Sequence, residues 1–482
     1  MAVLQPTRHN LAAGGQFPIS SQVLPGLVVI LDSVTILSIA LVSYVLIIGG
    51  VTENTDLYFA ATTFVWLVTL LLMNFAGLHQ FDAILLPLTV LDKITLSFVA
   101  TFLFLLAAAF SIKISESFSR LWVASFAMTA CIATLGVRLG VAHIVNRLSY
   151  LQIFTRNVVV IGAGDQAETL LTYIEKSPSR FITVLGLFLD NSPNSTSNFG
   201  RIPILGGLAD VDAYVRVNAI DDVIIALPWS NDKIILAMMN KLRELPVNVY
   251  LSTDIIGFRL PLRKPPDHFG AIPLVEIMGR PLAGWGTLRK AALDYGLGFV
   301  LTLPLLPVMA LIAIAIKLDS KGPVLFRQKR HGFVNRVFDI YKFRTMRQEP
   351  SRDASKTVQA TRDDPRITRI GRLLRRLSLD ELPQLFNVLN GTMSLVGPRP
   401  HAIDHNEEFS QMFRGYFARH RVKPGITGWA QVNGLRGETR TAGAIEARVN
   451  HDIHYVENWS LFFDLRILAT TAIICLTGRN AH

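Results

Sequence analysis

The chain has 482 residues, enough for two or three domains, and its composition is that of a membrane protein. Hydrophobic residues make up 50% of the sequence and charged residues only 17%, which argues against a soluble enzyme. The formal net charge of +11 predicts an anionic partner such as lipid headgroups or a phosphorylated substrate, and the apolar content argues against nucleic acid. Cys131 and Cys475 are the only cysteines, so we expect neither a disulfide framework nor a thiolate metal site. The first 22 residues lack a basic region followed by a cleavage site, so no signal peptide is predicted.

The N-terminal part contains four apolar stretches that each approach the roughly 20 residues of a membrane-spanning helix. The loop at residues 49–56 has no Lys or Arg, whereas Arg138, Arg147 and Arg156 cluster around the end of the fourth stretch. The positive-inside rule therefore places both ends of this group in the cytoplasm. A charge at the bilayer centre costs roughly 3 kcal/mol, so we expect Asp32 in the first stretch to face neighbouring helices. The stretches are Leu24–Ile48, Leu57–Leu78, Leu91–Ile112 and Leu121–Ala142.

Residues 157–167 have the pattern of a buried strand, a glycine-rich turn and a helix, which predicts the start of a Rossmann-type unit. Further strands are predicted at Val184–Leu189, Asp222–Ala226 and Val247–Leu251. A lone G-x-G-x-x-A is a weak signal for a dinucleotide, and Asp190 comes later than the usual ribose-binding acid. A bound cofactor and a structural or regulatory fold are both compatible with the sequence.

The composition divides the chain into four parts. These are a membrane part (1–150), a Rossmann-like domain (151–262), a linker rich in Pro, Gly and Arg (263–288) and a C-terminal domain (289–482).

A fifth apolar run, Leu297–Ile316, opens the C-terminal domain and is long enough to span a membrane. Lys and Arg flank it on both sides, so both flanks are expected on the cytoplasmic face. Pro304 and Pro307 lie in the middle of the run, where each removes a helical hydrogen bond. We therefore predict a re-entrant helix–break–helix over residues 291–317, with a kinked transmembrane helix as the alternative.

Residues 323–347 alternate in polarity, which predicts a β-hairpin around Gly332. Two later segments are typical of helices that lie in the membrane interface. Thr368–Leu377 has apolar residues on one face and arginines on another, although it could equally pack as a basic helix on a protein core. Trp459–Leu476 is apolar, is short of a full span and begins with a Trp anchor.

Asp380 and Glu381 form an acidic pair that we expect at the start of a short helix. Ser378 and Glu381 have the spacing of a capping box, and Pro383 fits a first helical turn. The positive end of a helix lowers the cost of keeping two neighbouring carboxylates ionised. Arginines precede the pair and Arg399 follows it, so carboxylates and guanidinium groups together suit a metal-bound phosphate. The alternative is a capped helix with ordinary surface charges.

Lys423–Gly434 is predicted to be a loop with many exposed backbone donors. Such a loop can approach a nucleotide or a sugar closely.

These motifs together resemble the bacterial polyprenyl-phosphate sugar-1-phosphate transferases. The resemblance rests on Arg375–Gln384, Ser394–Pro400, Lys342–Met346 and Lys423–Gly434, within about 317–482. Before that region it rests on architecture, which resembles the long form of the family, the undecaprenyl-phosphate glucose phosphotransferases that start exopolysaccharide repeat units. The expected fold is therefore a membrane protein of the α plus α/β class. It combines a four-helix transmembrane bundle, a Rossmann-like cytosolic domain and a monotopic α/β catalytic domain with interfacial helices.

The resemblance implies transfer of a sugar-1-phosphate, first of all glucose-1-phosphate, from a UDP-sugar to undecaprenyl phosphate, with release of UMP. It assigns Asp380 as the nucleophile that forms a covalent phosphosugar intermediate, and Glu381 with Asp380 as ligands of Mg²⁺. Direct attack by the lipid phosphate is a variant. The family also implies a homodimer in the bacterial inner membrane, with both soluble domains in the cytoplasm. The expected phosphate and substrate contacts are Arg375, Arg399, Lys342, Arg344, Lys423, Gly425, Thr427 and Gln431.

Three alternatives differ in substrate or in class. Galactose differs from glucose by one hydroxyl orientation, and no residue identifies which sugar is used. An NAD-dependent nucleotide-sugar dehydratase or epimerase would need a Tyr-x-x-x-Lys pair, which the sequence lacks. A non-catalytic scaffold for an export system is disfavoured by the intact acidic pair with its flanking arginines.

Overall fold

The computed structural model describes most of the chain. The described residues are 23–150, 155–176, 182–190, 202–218, 220–253, 274–347, 364–401, 403, 408–409, 412–413, 415–435 and 442–477.

The N-terminal part is a group of apolar helices. They are α1 (Leu24–Ile47), α2 (Thr55–Phe75), α3 (Phe81–Leu85), α4 (Leu91–Ser111) and α5 (Arg120–Tyr150). All except α3 are long and apolar enough to cross a membrane, which confirms that the four predicted stretches are helical. Val65, Phe98 and Trp122 pack between the helices, whereas Leu46 and Phe110 point outward and are more than three-quarters exposed. α5 runs past its predicted end because Val145 continues the buried side of the helix.

A buried ion pair joins two of these helices. Arg138 on α5 lies 2.6 Å from Asp32 on α1 and also donates a hydrogen bond to the Leu78 carbonyl at 2.9 Å. His79 Nε2 lies 3.2 Å from the same carboxylate. Asp32 therefore faces neighbouring helices as predicted, and its charge is compensated inside the protein.

The Rossmann-like domain is an α/β unit, as the sequence predicts. Its strands are β1 (Arg156–Ile161), β2 (Ile182–Leu189), β3 (Ile204–Gly207), β4 (Asp222–Ile225), β5 (Asn248–Ser252) and β6 (Leu274–Met278). Its helices are α6 (Asp165–Lys176), α7 (Val211–Val217) and α8 (Asp232–Leu242). The sheet order is β3-β2-β1-β4-β5-β6, with β6 antiparallel at the edge. Val158 and Val160 pack against α6, while Val159 and Ile161 pack on the other face against α7 and α8.

Two sequence-based expectations about this domain change. The segment 263–288, predicted to be a linker, contains β6. The prediction is wrong there, because the apolar residues of β6 complete the edge of the sheet. Gly162 has φ +135°, and a Cβ on it would lie 2.3 Å from the Ala226 carbonyl oxygen, so backbone packing alone requires this glycine. Asp190 directly follows β2, which is where a ribose-binding acid stands in dinucleotide folds, so its late position in the sequence does not exclude a ligand.

The fifth apolar run is one continuous helix, α9 (Trp285–Asp319), with Pro304 and Pro307 inside it. The prolines therefore do not divide the run into two separate helices, whereas the re-entrant path through a membrane stays a prediction. Each proline removes one hydrogen bond, which the remaining bonds of a long helix tolerate. Both ends of α9 contact the C-terminal domain, because Lys290 donates a hydrogen bond to the Val396 carbonyl and Ser320 accepts one from Arg344.

The C-terminal domain packs short elements against α9. They are β7 (Leu325–His331), β8 (Val337–Phe343), α10 (Arg369–Arg376), α11 (Gln384–Leu389), β9 (Ser394–Val396), β10 (Gly425–Thr427), α12 (Trp429–Val432), α13 (Ala442–Glu457) and α14 (Leu461–Thr477). β7 and β8 form the predicted antiparallel hairpin, with the turn at Gly332. Val388, Leu395 and Ile467 belong to the core that joins α11, β9 and α14.

One prediction about this domain needs correction, and another stays open. The segment Lys423–Gly434 contains β10 and α12 instead of being a continuous loop. Along α10, Ile370 and Leu374 pack on protein, whereas Leu373 and Leu377 are about half exposed. The protein therefore covers only part of the apolar surface of α10, and the rest is available to a membrane interface.

Candidate active site

Asp380 and Glu381 lie in a tight turn just before α11. The turn, Leu379–Glu381, is a 3₁₀ helix, and Leu382 N–H donates to the Leu379 carbonyl at 3.3 Å. The predicted capping box is wrong, because Ser378 has φ +56° and its side chain makes no capping hydrogen bond. Pro383 then precedes α11, where its missing N–H costs nothing. The 3₁₀ turn presents two consecutive carboxylates without placing either inside an α-helix.

Glu381 is the buried and fully paired member of the acidic pair. Its Oε1 lies 2.8 Å from Lys342 Nζ and 2.6 Å from Arg399 Nη2, and its Oε2 accepts a 3.2 Å hydrogen bond from Arg399 Nη1. Burial alone would raise the pKa of Glu381, but the two cations outweigh burial and hold this pKa well below the usual value. Glu381 is therefore ionised at neutral pH and fixes both cations in place.

Asp380 differs from Glu381 in its partners. Its carboxylate accepts no hydrogen bond from the residues that the structure describes. Burial, and next the charge of Glu381, raise the pKa of Asp380, while Lys342, Arg375 and Arg399 oppose the rise. A carboxylate without fixed partners, surrounded by cations, can attack phosphorus or bind a metal ion.

Arg399 is held in place by residues that sequence reasoning missed. Its carbonyl accepts a 2.6 Å hydrogen bond from Arg419 Nη2, and Arg419 forms a buried ion pair with Asp452 at 2.7 Å. His401 lies 2.6 Å from Arg419. Burial, and next the charge of Arg419, hold the pKa of His401 well below its usual value, so this ring is neutral. Neither Arg419 nor Asp452 stands in a motif that could have revealed it.

A second buried network connects α9 to the site. Lys290 lies 2.7 Å from Asp464 on α14, and Tyr455 donates to the same carboxylate at 2.8 Å. Lys290 and Tyr455 also both donate to the carbonyl of Val396, three residues before Arg399. Asp464 is fully buried here, and Trp459 donates to it at 3.1 Å. Trp459 therefore bonds to a buried carboxylate, in addition to any anchoring role at a membrane surface.

A mostly apolar cavity of about 250 Å³ adjoins the acidic pair. Leu301 and Leu305 of α9 form one wall and Leu468 of α14 another, with Glu381 at one side. The predicted contacts Thr427 and Gln431 also line it, and Gln431 Oε1 is buried with no hydrogen-bond partner among the described residues. The cavity therefore connects Glu381 with the apolar helices α9 and α14.

The remaining predicted contacts lie at varying distances from the pair. Arg375 Nε donates to Thr345 Oγ1 at 2.9 Å, and its charge reaches Asp380. Arg344 donates to the carbonyl and hydroxyl of Ser320 and so stabilises the end of α9. Lys423 lies 5.9 Å from the Tyr295 ring centroid.

Gly425 has a structural reason to be glycine. A Cβ on it would lie 2.0 Å from the Gly397 nitrogen, so its small size allows β10 to approach the end of β9. Its role as a substrate contact stays a prediction.

The donor set at the site is compatible with Mg²⁺. Among the described residues, no group of three or more His, Cys, Asp or Glu side chains could hold a metal ion. Mg²⁺, however, is commonly bound by one or two carboxylates together with substrate phosphates and water. Asp380 has open carboxylate oxygens, and Glu381 adds a second carboxylate beside it.

Comparison with known proteins identifies the family. Residues 285–478 match the bacterial sugar transferase family, and residues 75–253 match a CoA-binding domain family. The chain is 36% identical over 378 residues to the UDP-glucose:undecaprenyl-phosphate glucose-1-phosphate transferase of Xanthomonas campestris pv. campestris, which covers 78% of each chain. The chain belongs to the bacterial sugar transferase family. Its family match begins where α9 begins and includes both carboxylates.

Other relatives of this bacterial sugar transferase differ in the sugar that they are named for. The Escherichia coli (strain K12) UDP-glucose:undecaprenyl-phosphate glucose-1-phosphate transferase is 36% identical over 368 residues, covering 75% of this chain and 76% of the relative. The Aeromonas hydrophila UDP-N-acetylgalactosamine-undecaprenyl-phosphate N-acetylgalactosaminephosphotransferase is 44% identical over 217 residues, covering 45% of this chain and 49% of the relative. The relatives matched over most of this chain thus carry the glucose name.

Proposed function

We propose that this bacterial sugar transferase moves glucose-1-phosphate from UDP-glucose to undecaprenyl phosphate and releases UMP. The names of the relatives with the widest coverage support the substrates. The arrangement of Asp380 supports the chemistry: it is an open carboxylate beside a fixed Glu381–Lys342–Arg399 group and next to an apolar cavity. Such a site admits a charged nucleotide and a lipid phosphate together. The product would be the first lipid-linked sugar of an exopolysaccharide repeat.

In the proposed mechanism a carboxylate oxygen of Asp380 attacks the phosphorus that carries the sugar. The new Asp380–phosphorus bond forms as the bond from this phosphorus to the UMP oxygen breaks, and the electron pair leaves with UMP. An oxygen of undecaprenyl phosphate then attacks the same phosphorus, and the bond to Asp380 breaks and regenerates its carboxylate. Lys342 and Arg399 stay in place throughout because Glu381 holds them, which avoids reorganisation as charge develops. Mg²⁺ bound at Asp380 and Glu381 would supply charge neutralisation for the pyrophosphate.

The lipid acceptor would approach from the side of α9. This helix is the most apolar of the candidate spans, and its side chains Leu301 and Leu305 line the cavity beside the acidic pair. The contacts at both ends of α9 with the same domain support a helix that bends at Pro304 and Pro307 and returns to the face that it entered from, rather than one that crosses the membrane. The basic flanks support the proposal that the Rossmann-like and catalytic domains lie on the cytoplasmic face of the inner membrane. Dimerisation stays a prediction.

Release of UMP from membranes supplied with undecaprenyl phosphate, Mg²⁺ and a panel of UDP-sugars tests the function. We expect UDP-glucose to be the preferred donor. The panel includes UDP-galactose and UDP-N-acetylgalactosamine, and preference for either would overturn the sugar assignment but not the reaction. Absence of UMP release with every donor would favour a non-catalytic role.

Two substitutions test the mechanism in the same assay. Asp380→Asn removes the nucleophile and should abolish transfer, while Glu381→Gln releases Lys342 and Arg399 and should reduce it by about 100-fold or more. Full activity of Asp380→Asn would show that Asp380 is not the nucleophile. A labelled phosphosugar adduct trapped on Asp380 distinguishes the covalent route from direct attack by the lipid phosphate.

A further inference from the structure

Arg330 is a part-buried arginine near the acidic pair that neither the motifs nor the mechanism above uses. It is the next-to-last residue of β7, and its Nη2 donates a 2.6 Å hydrogen bond to Gln328 Oε1. Its Nε is buried and has no hydrogen-bond partner within the part of the chain that the structure describes. Among the residues that the structure describes, no carboxylate lies within ion-pair distance of its guanidinium group.

The register of the hairpin directs Arg330 to the same face as Lys342. Arg330 pairs with Phe338 and Phe326 pairs with Lys342, and paired residues of antiparallel strands share a face that recurs at every second position. Lys342 reaches Glu381 from this face at 2.8 Å. Lys329 lies on the opposite face and is exposed. The same strand therefore carries one inward arginine and, beside it, an outward lysine.

The surroundings of Arg330 have an excess of positive charge. Arg330 lies within electrostatic reach of Arg399 and Glu381. Burial, and next the charge of Arg399, lower the pKa of Arg330 to about 10, because the single carboxylate of Glu381 does not compensate the neighbouring cations. A group of buried guanidinium ions in excess over carboxylates is stabilised when an anion binds among them.

The end of the hairpin borders a different cleft from the apolar cavity. His331 and Gly332 line a small cleft together with Arg399 and Arg419. This cleft has no lining residue from α9 or α14, whereas the apolar cavity has none from β7 or β8. The two clefts meet near the pair formed by Glu381 and Arg399. Arginine and histidine side chains line much of the hairpin side, whereas apolar side chains line most of the side of α9, so the chemistry of the first suits the charged donor and that of the second suits the lipid.

We propose that Arg330 binds the phosphate of the nucleotide half of the donor, the phosphate that leaves as part of UMP. This inference rests on the proposed function. Lys342 and Arg399 are already engaged by Glu381, so a further guanidinium group is needed for the second phosphate of the donor. The planar fork of arginine suits two oxygens of one phosphate. The competing source of a phosphate at Arg330 is the lipid acceptor.

Binding of UMP to the purified full-length protein in detergent, measured by equilibrium dialysis, tests this assignment without turnover. Arg330→Ala should weaken UMP binding by roughly 10- to 100-fold, the effect of losing a charged hydrogen bond. Arg330→Lys keeps the charge but loses the fork, so its loss should be smaller. Lys329→Ala, on the outward face, should bind UMP as the unsubstituted protein does. Unchanged UMP binding by Arg330→Ala would overturn the proposal.

Steady-state kinetics separate the two sources of phosphate. We expect Arg330→Ala to raise the KM for UDP-glucose with little change in the KM for undecaprenyl phosphate. A rise confined to the KM for undecaprenyl phosphate would assign Arg330 to the lipid and overturn the proposal. If Arg330→Ala fails to fold, as judged by size-exclusion chromatography, the test uses Arg330→Lys instead. The proposal is then overturned if Arg330→Lys binds UMP as tightly as Lys329→Ala does. Failure of the proposed function would instead appear in the unsubstituted protein, as absence of UMP binding and of UMP release.

Discussion

At the scale of single residues, the two adjacent carboxylates differ because their neighbours differ. Glu381 is held by two cations at 2.6–2.8 Å, whereas Asp380 has no such partner among the described residues. The sequence could predict the pair, Lys342 and Arg399, because motif and charge pattern point to them. It could not predict that Arg419 and Asp452 support Arg399, or that Ser378 has a positive φ angle. Those depend on packing between distant segments and on a backbone conformation that a capping pattern does not reveal.

The raised pKa of Asp380 leads to a prediction about stability. The pKa of Asp380 is raised in the folded state, so protonation of this carboxyl stabilises the fold below its unfolded pKa, and this stabilisation is lost as the pH rises through the folded pKa. Asp380→Asn should therefore raise the midpoint of thermal unfolding at pH 7.5 while abolishing transfer. The difference from the unsubstituted protein should shrink as the pH is lowered, because Asp380 then becomes neutral as well. Asp339→Asn, at an exposed carboxylate of β8, is the control and should change neither property. A lower midpoint for Asp380→Asn at pH 7.5 would contradict the electrostatic explanation.

At the scale of elements, the long apolar helices and the β7–β8 hairpin could be predicted because their periodicity and length are strong local signals. The short elements could not. β6 lies in a segment rich in Pro and Gly, whose composition indicated a linker. β9 and β10 have only three residues each, and they pair because Gly397 and Gly425 allow the two backbones to approach. The uninterrupted α9 shows a further limit: two prolines predict a local loss of hydrogen bonds, but the rest of a 35-residue helix can compensate for it.

The path of α9 through the membrane can be tested with cysteine labelling. We expect a re-entrant helix, so Lys321→Cys just after α9 should react with a membrane-impermeant maleimide on the same side as Lys233→Cys in the Rossmann-like domain. Both positions are exposed. Glu53→Cys, in the loop between α1 and α2, should react only from the opposite side. Each variant is made in a background in which both native cysteines are replaced. Labelling of Lys321→Cys on the side of Glu53→Cys would show that α9 crosses the membrane.

At the scale of the whole molecule, the Rossmann-like domain contacts the segment that supports Arg399. The Gly415 N–H donates to Glu244 Oε1 at 2.9 Å, and Arg216 lies over the Phe417 ring at 4.6 Å. The helical segment that begins just after Gly415 includes Arg419, which donates to the Arg399 carbonyl. A short chain of contacts therefore leads from the Rossmann-like domain to the backbone of Arg399, whose side chain holds Glu381. Sequence alone could not predict this connection, because the contacting residues are about 170 positions apart.

This connection predicts that the Rossmann-like domain affects turnover without contacting substrate. Glu244→Ala removes the hydrogen bond from the Gly415 N–H, so the segment Tyr416–Arg421, which supports Arg399, should become more mobile. Loss of one such bond corresponds to roughly a two- to tenfold effect, which we expect in kcat, with the KM for UDP-glucose nearly unchanged. Lys241→Ala, an exposed substitution in α8, should leave kcat as it is. A contrary result would be equal kcat values for Glu244→Ala and Lys241→Ala together with a lower unfolding midpoint for Glu244→Ala. The contact between Glu244 and Gly415 would then stabilise the molecule without positioning Arg399, and the predicted connection to catalysis would be wrong.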